Sequence, residues 1–301
     1  MTKTLGILGL IVALVAACAR PAAPGSANAG RLKVVATFSI LGEWVQTVGG
    51  DKVDVQTLVG PGRDTHEFAP SPIDAAALAE AALVFENGSG FEMWLDDLYA
   101  ASGSNARRVA VTGNVTPIEV DGGRLDPHVW HDVTNAIRMV EMIRDALAEA
   151  DPGNVQTYQA NAAAYVTQLR NLDAWVSEQV NSLPEERRKL VTSHDTFQYF
   201  AARYGFEIVG TALGSISTEV ADPPAGEIAQ LVADIKAAGI PAIFAENVSN
   251  PKLMEQIASE AGVALAPPLY TDALGVPGSD ADTYLKMIRY NVTTIVTALS
   301  R

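Results

Sequence analysis

The stretch NVQTYQANAAAYVTQLRNLDAWVSEQVNSLP, residues 154–184, decides the architecture. Its apolar residues Val155, Tyr158, Ala162, Val166, Leu169, Leu172, Val176, Val180 and Leu183 recur at steps of three and four. That spacing marks one face of a single helix, which Pro184 ends. About 30 residues at 1.5 Å each make a rod of about 45 Å. On both sides of it, short β-branched runs alternate with helical stretches. The strand candidates are 32–40, 52–60, 81–88 and 107–112 before the rod, and 189–194, 206–213, 240–247 and 263–270 after it. Such alternation predicts parallel strands joined by crossover helices. The two flanks also resemble each other: KVVATF (33–38) matches KLVTSH (189–194), and 70–87 matches 222–247, each a Pro-started helix and a strand ending in Glu-Asn. The expected class is therefore α/β: two lobes, 31–150 and 186–301, each a mostly parallel sheet flanked by helices. One long rigid helix within 151–185 joins them.

The N-terminus reads as an address. Lys3, an apolar run from Leu5 to Val15, and Ala16-Ala17-Cys18 have the three-part layout of a secretory signal. The run is too short for an ordinary membrane-spanning helix. Val15-Ala16-Ala17-Cys18 also resembles a bacterial lipobox, which implies cleavage after residue 17 and a diacylglycerol on the Cys18 thiol. Residues 18–30, rich in Ala, Pro, Gly and Ser, suit a flexible tether. The body is then expected outside the cytoplasm, lipid-anchored to the membrane at the periplasm or cell surface.

Charge and composition exclude several roles. Lys plus Arg number 21 against 35 Asp plus Glu, a net −14, so no nucleic-acid partner is expected. With 48 % hydrophobic and 19 % charged residues the chain can bury a large core. Its single cysteine rules out an internal disulfide and any multi-cysteine metal site, which leaves four histidines and the carboxylates as candidate ligands.

His66 follows a strand candidate amid Gly and Pro, His128 lies after Pro127 where a helix should begin, and His194 ends a strand. In open α/β sheets, ligands collect beyond the carboxyl ends of strands. Asp272, after the last strand candidate, can complete a four-ligand site or serve as a helix N-cap. His131, one turn from His128, could chelate beside it or flank the site. Glu219 and Glu246 are further candidates, as ligands or as hydrogen-bond partners of liganding histidines. Three imidazoles and a carboxylate suit Zn²⁺, Mn²⁺ or Fe²⁺ and not the oxygen-rich shell of Ca²⁺. Enzyme motifs are absent: there is no HExxH, GxSxG or phosphate loop, and Pro70 follows His66-Glu67 where a zincin needs a helix. Four protein ligands would also fill the position a catalytic zinc keeps for water.

The segments DTHEFAPSP (64–72), DPHVW (126–130), TSHDTFQYF (192–200), FAEN (244–247), NPKL (250–253) and LYTDALG (269–275) carry a family resemblance. From residue 32 to 299 the chain resembles the solute-binding lipoproteins of zinc and manganese ABC importers, the ZnuA/TroA type. The resemblance implies two α/β lobes joined by one long helix, with metal held between them by His66, His128, His194 and Asp272. It also implies delivery to an ABC permease driven by a cytoplasmic ATPase, with the chain expected to be a monomer. No His-rich loop precedes His128, unlike many zinc members, whereas many manganese members place Glu where this chain has His194; the third imidazole favours Zn²⁺ over Mn²⁺. His131 stands where relatives commonly have an apolar residue. The expectation is a metal-capturing transport component, not an enzyme, in which the long helix limits lobe motion and release comes from local loop rearrangement. A metallohydrolase using the same histidines and a metal-containing adhesin are the alternatives.

Overall fold

The computed structural model describes Thr2 and residues 30–301. The expected signal, Cys18 and the tether as far as Ala29 lie outside the described residues. Arg31–Arg301 forms one compact unit. Its first half is built on β1 (Leu32–Phe38), β2 (Val53–Val59), β3 (Leu83–Glu86) and β4 (Arg107–Ala110), parallel throughout and ordered β2-β1-β3-β4. Val34, Val35, Ala36 and Phe38 of the central β1 are all buried, as expected where helices cover both faces of a parallel sheet. α1 (Ser39–Gly49), α2 (Pro72–Glu80) and α3 (Leu95–Ser102) provide the cover. α2 starts where the sequence says it should: Pro72 occupies its first turn, and the Ser71 amide donates to Asp74 Oδ2 at 2.8 Å. A two-residue hairpin, β5 (Glu119–Val120) with β6 (Arg124–Leu125), leads to α4 (Val133–Ala150).

The second half contains β7 (Lys189–Thr192) paired with β8 (Glu207–Thr211), and β9 (Ala242–Glu246) paired with β10 (Ala264–Leu269), both pairs parallel. β7 lies alongside β9. α6 (Gln198–Tyr204), α7 (Ala225–Ala238), α8 (Lys252–Ala261) and α9 (Tyr284–Leu299) cover these strands. All eight strand candidates form strands, each trimmed by one or more residues. β10 carries a register shift between Ala266 and Leu269. Pro267 and Pro268 fill that gap, and neither has an N–H to donate to a ladder.

Between the halves runs α5 (Val155–Asn181), one helix of 27 residues, about 40 Å long. It packs on α1 and α4 from the first half and on α9 from the second. Tyr158, Ala162, Val166, Leu169, Leu172, Val176 and Val180 are buried on it, following the predicted stripe, while Val155 at its first turn is half-buried. Tyr165 is an addition. Its hydroxyl donates to Glu43 on α1 at 3.1 Å, and burial pushes the Glu43 carboxyl up to about 7. Among the described residues no helix is long and apolar enough to cross a membrane.

Leu169 is completely buried near the middle of this strut. Leu169→Ala should cost about 2–5 kcal/mol of unfolding free energy, read as a lower urea midpoint; an unchanged midpoint would show that the strut does not carry the fold.

Candidate metal centre

Four loops supply the site. His66 follows β2, His194 follows β7 and Asp272 follows β10, while His128 precedes the short 3-10 turn Val129–His131 that leads into α4. Turn chemistry aims the first two histidines in the same way. The His66 amide donates to Asp64 Oδ1 at 2.8 Å, and the His128 amide to Asp126 Oδ1 at 2.9 Å. An aspartate two residues ahead thus closes an Asx turn in each case. Upstream, Gly62 takes a φ of +70°, open mainly to glycine, and its amide donates to Leu274 O at 2.8 Å. This ties the His66 loop to the Asp272 loop.

The matching Glu-Asn strand ends brace the ligand loops as well. Asn87, after β3, donates from Nδ2 to Pro127 O at 2.9 Å, beside His128. Asn247, after β9, accepts from the Thr271 amide at 3.1 Å and donates to Ala273 O at 3.4 Å, gripping Asp272 from both sides. The glutamates have diverged. Glu86 forms a two-pronged pair with Arg108, whereas Glu246 lies 2.5 Å from His194 Nδ1.

The four side chains converge. Their ligand atoms all lie within 4.8 Å of one another. His128 Nε2 is 3.4 Å from His66 Nε2 and 3.3 Å from His194 Nε2. Asp272 approaches the Nε2 atoms of His194, His66 and His128 at 3.3, 3.5 and 3.7 Å. A tetrahedron with ligands about 2.0–2.1 Å from its centre has edges of about 3.3–3.4 Å, which the His128–His66, His128–His194 and His194–Asp272 separations match; the others are wider. The donor set also calls for a cation. Asp272 is completely buried, and among the described residues neither oxygen accepts a hydrogen bond, an arrangement that is strongly unfavourable for a carboxylate left alone.

Second-layer carboxylates orient two imidazoles. Asp126 Oδ1 lies 2.8 Å from His128 Nδ1, and Glu246 takes His194 Nδ1 and also its amide, the latter at 3.0 Å. The Nδ1 proton is thereby held outward, leaving the Nε2 lone pair facing the centre. His66 has no such carboxylate among the described residues. Burial disfavours charge on His194, but the adjacent Glu246 and Asp272 outweigh it and hold the imidazole well above its usual range. For Asp272 burial works upward, yet the surrounding imidazoles hold it well below the ordinary carboxylate value.

The remaining candidates stand apart from this group. His131 is buried against Phe197, with ring centroids 4.5 Å apart, and both its nitrogens lack partners. Burial, reinforced by His128, pushes its pKa down to about 3. It flanks the site as a neutral ring. Glu219 is exposed, and Glu246 has the hydrogen-bonding place and not the ligand place. Sequence reasoning had given no role to Asp126 or Asp64, although Asp-x-His at both histidines was the available signal.

Cross-chain hydrogen bonds close the surroundings. Trp130 Nε1 donates to Thr271 O at 2.9 Å, and the Tyr284 hydroxyl to Trp130 O at 2.6 Å. The Tyr199 hydroxyl donates to Asp126 O at 3.2 Å, and the Leu274 amide to Ser39 Oγ at 2.9 Å.

Comparison with known proteins identifies the family. The manganese-binding lipoprotein MntA of Halalkalibacterium halodurans is 37 % identical over 294 residues, covering 97 % of each chain. The metal ABC transporter substrate-binding lipoprotein SsaB of Streptococcus sanguinis is 33 % identical, over 99 % of this chain and 100 % of its own. Among solved structures, the periplasmic zinc-binding protein TroA of Treponema pallidum superposes with a TM-score of 0.85 at 32 % identity, covering 90 % of this chain and 100 % of TroA. Residues 34–298 match the family described as zinc-uptake complex component A, periplasmic (ZnuA), and the chain belongs to that family.

Proposed function

We propose that the chain is the metal-capturing component of an ABC importer: it takes up a divalent transition metal with His66, His128, His194 and Asp272 and hands it to a membrane permease driven by a cytoplasmic ATPase. Residues 31–150 and 186–301 are the two lobes that hold the cargo, with 151–185 as the strut. The protein works as a monomer outside the cytoplasm, tethered through a lipid on Cys18. The observation that carries this reading is the unbonded, fully buried Asp272 carboxylate facing three Nε2 atoms. Relatives named as metal ABC transporter substrate-binding and manganese-binding lipoproteins support it.

Three imidazoles rank Zn²⁺ above Mn²⁺ in affinity, following the general order of divalent metals at nitrogen donors. Among the relatives, MntA is named for manganese and TroA for zinc, so names do not decide the cargo, which also depends on metal supply. Competition between the two ions in vitro should leave zinc bound. Manganese displacing equimolar zinc would overturn the ranking, and elemental analysis of natively purified protein identifies the physiological cargo.

The assignment of ligands has a direct test. Asp272→Ala should weaken metal binding by more than about a hundredfold, and Glu246→Gln, which only re-orients His194, by about 10–100-fold. A variant lacking Asp272 that kept its metal and hydrolysed esters would instead favour a metallohydrolase.

Acidity supplies a further test. In the metal-free site the charged form of His194 is stabilised, so its pKa lies above the ordinary value, and the metal must displace that proton. Affinity is therefore full above the raised pKa and falls as pH drops through it, by about tenfold per pH unit for one displaced proton. Chelator competition at pH 8 and pH 6 checks this expectation. Equal affinities at the two pH values would show that no imidazole proton is exchanged for the metal.

A further inference from the structure

The ligands are not equally enclosed. The side chains of His128, His194 and Asp272 are 0 % exposed, and only His66, at 5 %, reaches the surface. His66 is also the imidazole without a carboxylate behind it. A cavity of about 370 Å³ is lined by Asp64, which binds the His66 amide, by Glu67, which follows His66 in the chain, and by Ser193, next to His194. Asp64, Glu67 and Asp222 line this space against one ammonium, that of Lys252. The balance draws cations, and six waters at about 30 Å³ each would fit with an ion among them.

Thr218, Val220 and Asp222 line the cavity from the 216–222 stretch of the connection between β8 and α7, which has no regular structure. Hydrogen bonds within the stretch are local, such as Val220 N to Thr218 O and Glu219 N to Ser217 Oγ. Among the described residues a single hydrogen bond ties this segment to the first half: Thr218 Oγ1 donates to Asp64 Oδ2 at 2.7 Å. Elsewhere around the site the closing contacts are buried, made by Trp130, Tyr284, Tyr199 and the Leu274 amide. The His66 loop itself is anchored, since Trp94 Nε1 donates to Thr65 O at 2.9 Å and Gly62 is tied to Leu274.

We infer that a divalent cation enters and leaves through this acidic cavity past His66, and that residues 216–222 are the gate, latched by Thr218 on Asp64. This rests on the reading of the four ligands as a metal centre. The segment that moves is the one held least, while the strut and the Trp130 contacts stay fixed. Thr218 is thus a positioning residue: it touches no ligand atom, and it sets the rate of exchange and not the strength of binding.

The test is stopped-flow capture of Zn²⁺ by the metal-free protein and its release to excess chelator, in wild type, Thr218→Val, Thr218→Ser and Tyr284→Phe. Loss of one hydrogen bond from the closed gate should speed capture and release together by about three- to tenfold. The equilibrium constant should move by less than that factor. Thr218→Ser, which keeps the hydroxyl, should exchange at the wild-type rate. Tyr284→Phe removes one of the buried closing contacts and should lower the unfolding midpoint with exchange unchanged. Unaltered rates in Thr218→Val overturn the inference, as does faster release without faster capture, or equal acceleration by Tyr284→Phe. Wild-type protein that takes up no zinc would refute the reading of the site itself, whereas normal wild-type uptake with an indifferent Thr218→Val refutes the gate alone.

Discussion

A carboxylate buried without a hydrogen bond sets the terms for the rest of this molecule. Asp272 sits at 0 % exposure with both oxygens unbonded, where leaving water has a cost that only a nearby positive charge can offset. Three imidazole edges face it at hydrogen-bond-like distances without making neutral bonds to it. The site is therefore incomplete in electrostatic terms and complete in steric ones. A divalent ion supplies the missing charge; Glu246 together with Asp272 also holds the His194 imidazole above its usual range against its burial, and the imidazoles hold Asp272 below its own.

Such a site needs loops that stay put. Each is gripped by groups outside the ligand set: Asp64 and Asp126 close turns ahead of His66 and His128, Asn87 and Asn247 clamp the chain beside His128 and Asp272, and Glu246 takes both the ring and the amide of His194. Pre-ordering matters because any entropy lost when ligands are fixed on binding subtracts from affinity. The strut serves the same end at a larger scale. α5 contacts helices of both halves, so the distance between the loops of one half and those of the other is set by a rigid rod and not by a hinge of coil.

The fold and the cluster of candidate ligands were legible in the sequence for identifiable reasons. Strands covered on both faces, such as β1, are nearly all apolar and stand out as runs, and α5 kept its three-and-four spacing long enough to leave one interpretation. His66, His128 and His194, which the structure brings together with Asp272, stood out because they sit in Gly- and Pro-rich, cap-like or strand-end contexts. What stayed hidden depends on partners distant in the chain. Tyr165 looks like surplus on the helix until Glu43 faces it. His131, one turn from His128, could chelate or flank the site; the chain passes through a 3-10 turn there, the ring lies against Phe197, and it flanks. The run 263–270 reads as one strand, and the register shift at Pro267-Pro268 shows only in its pairing with β9. Strand order β2-β1-β3-β4 is likewise a property of the assembled sheet.

The repeated build of the two halves explains why the ligands are unequal. Both halves end a buried strand in Glu-Asn, and both asparagines perform the same service, holding the backbone next to a ligand. The glutamates do not: Glu246 reaches a histidine, whereas Glu86 is spent on Arg108. In the first half the carboxylate for His128 comes from Asp126 in the same turn, and among the described residues none backs His66. An imidazole backed by a carboxylate is a better donor and has a fixed orientation; one without it binds more weakly and turns more freely. The site thus contains two braced imidazoles deep in the seam and one unbraced imidazole at its edge. A carrier that must both hold its cargo and surrender it gains from that gradient, because exchange can start with the ligand whose loss costs least.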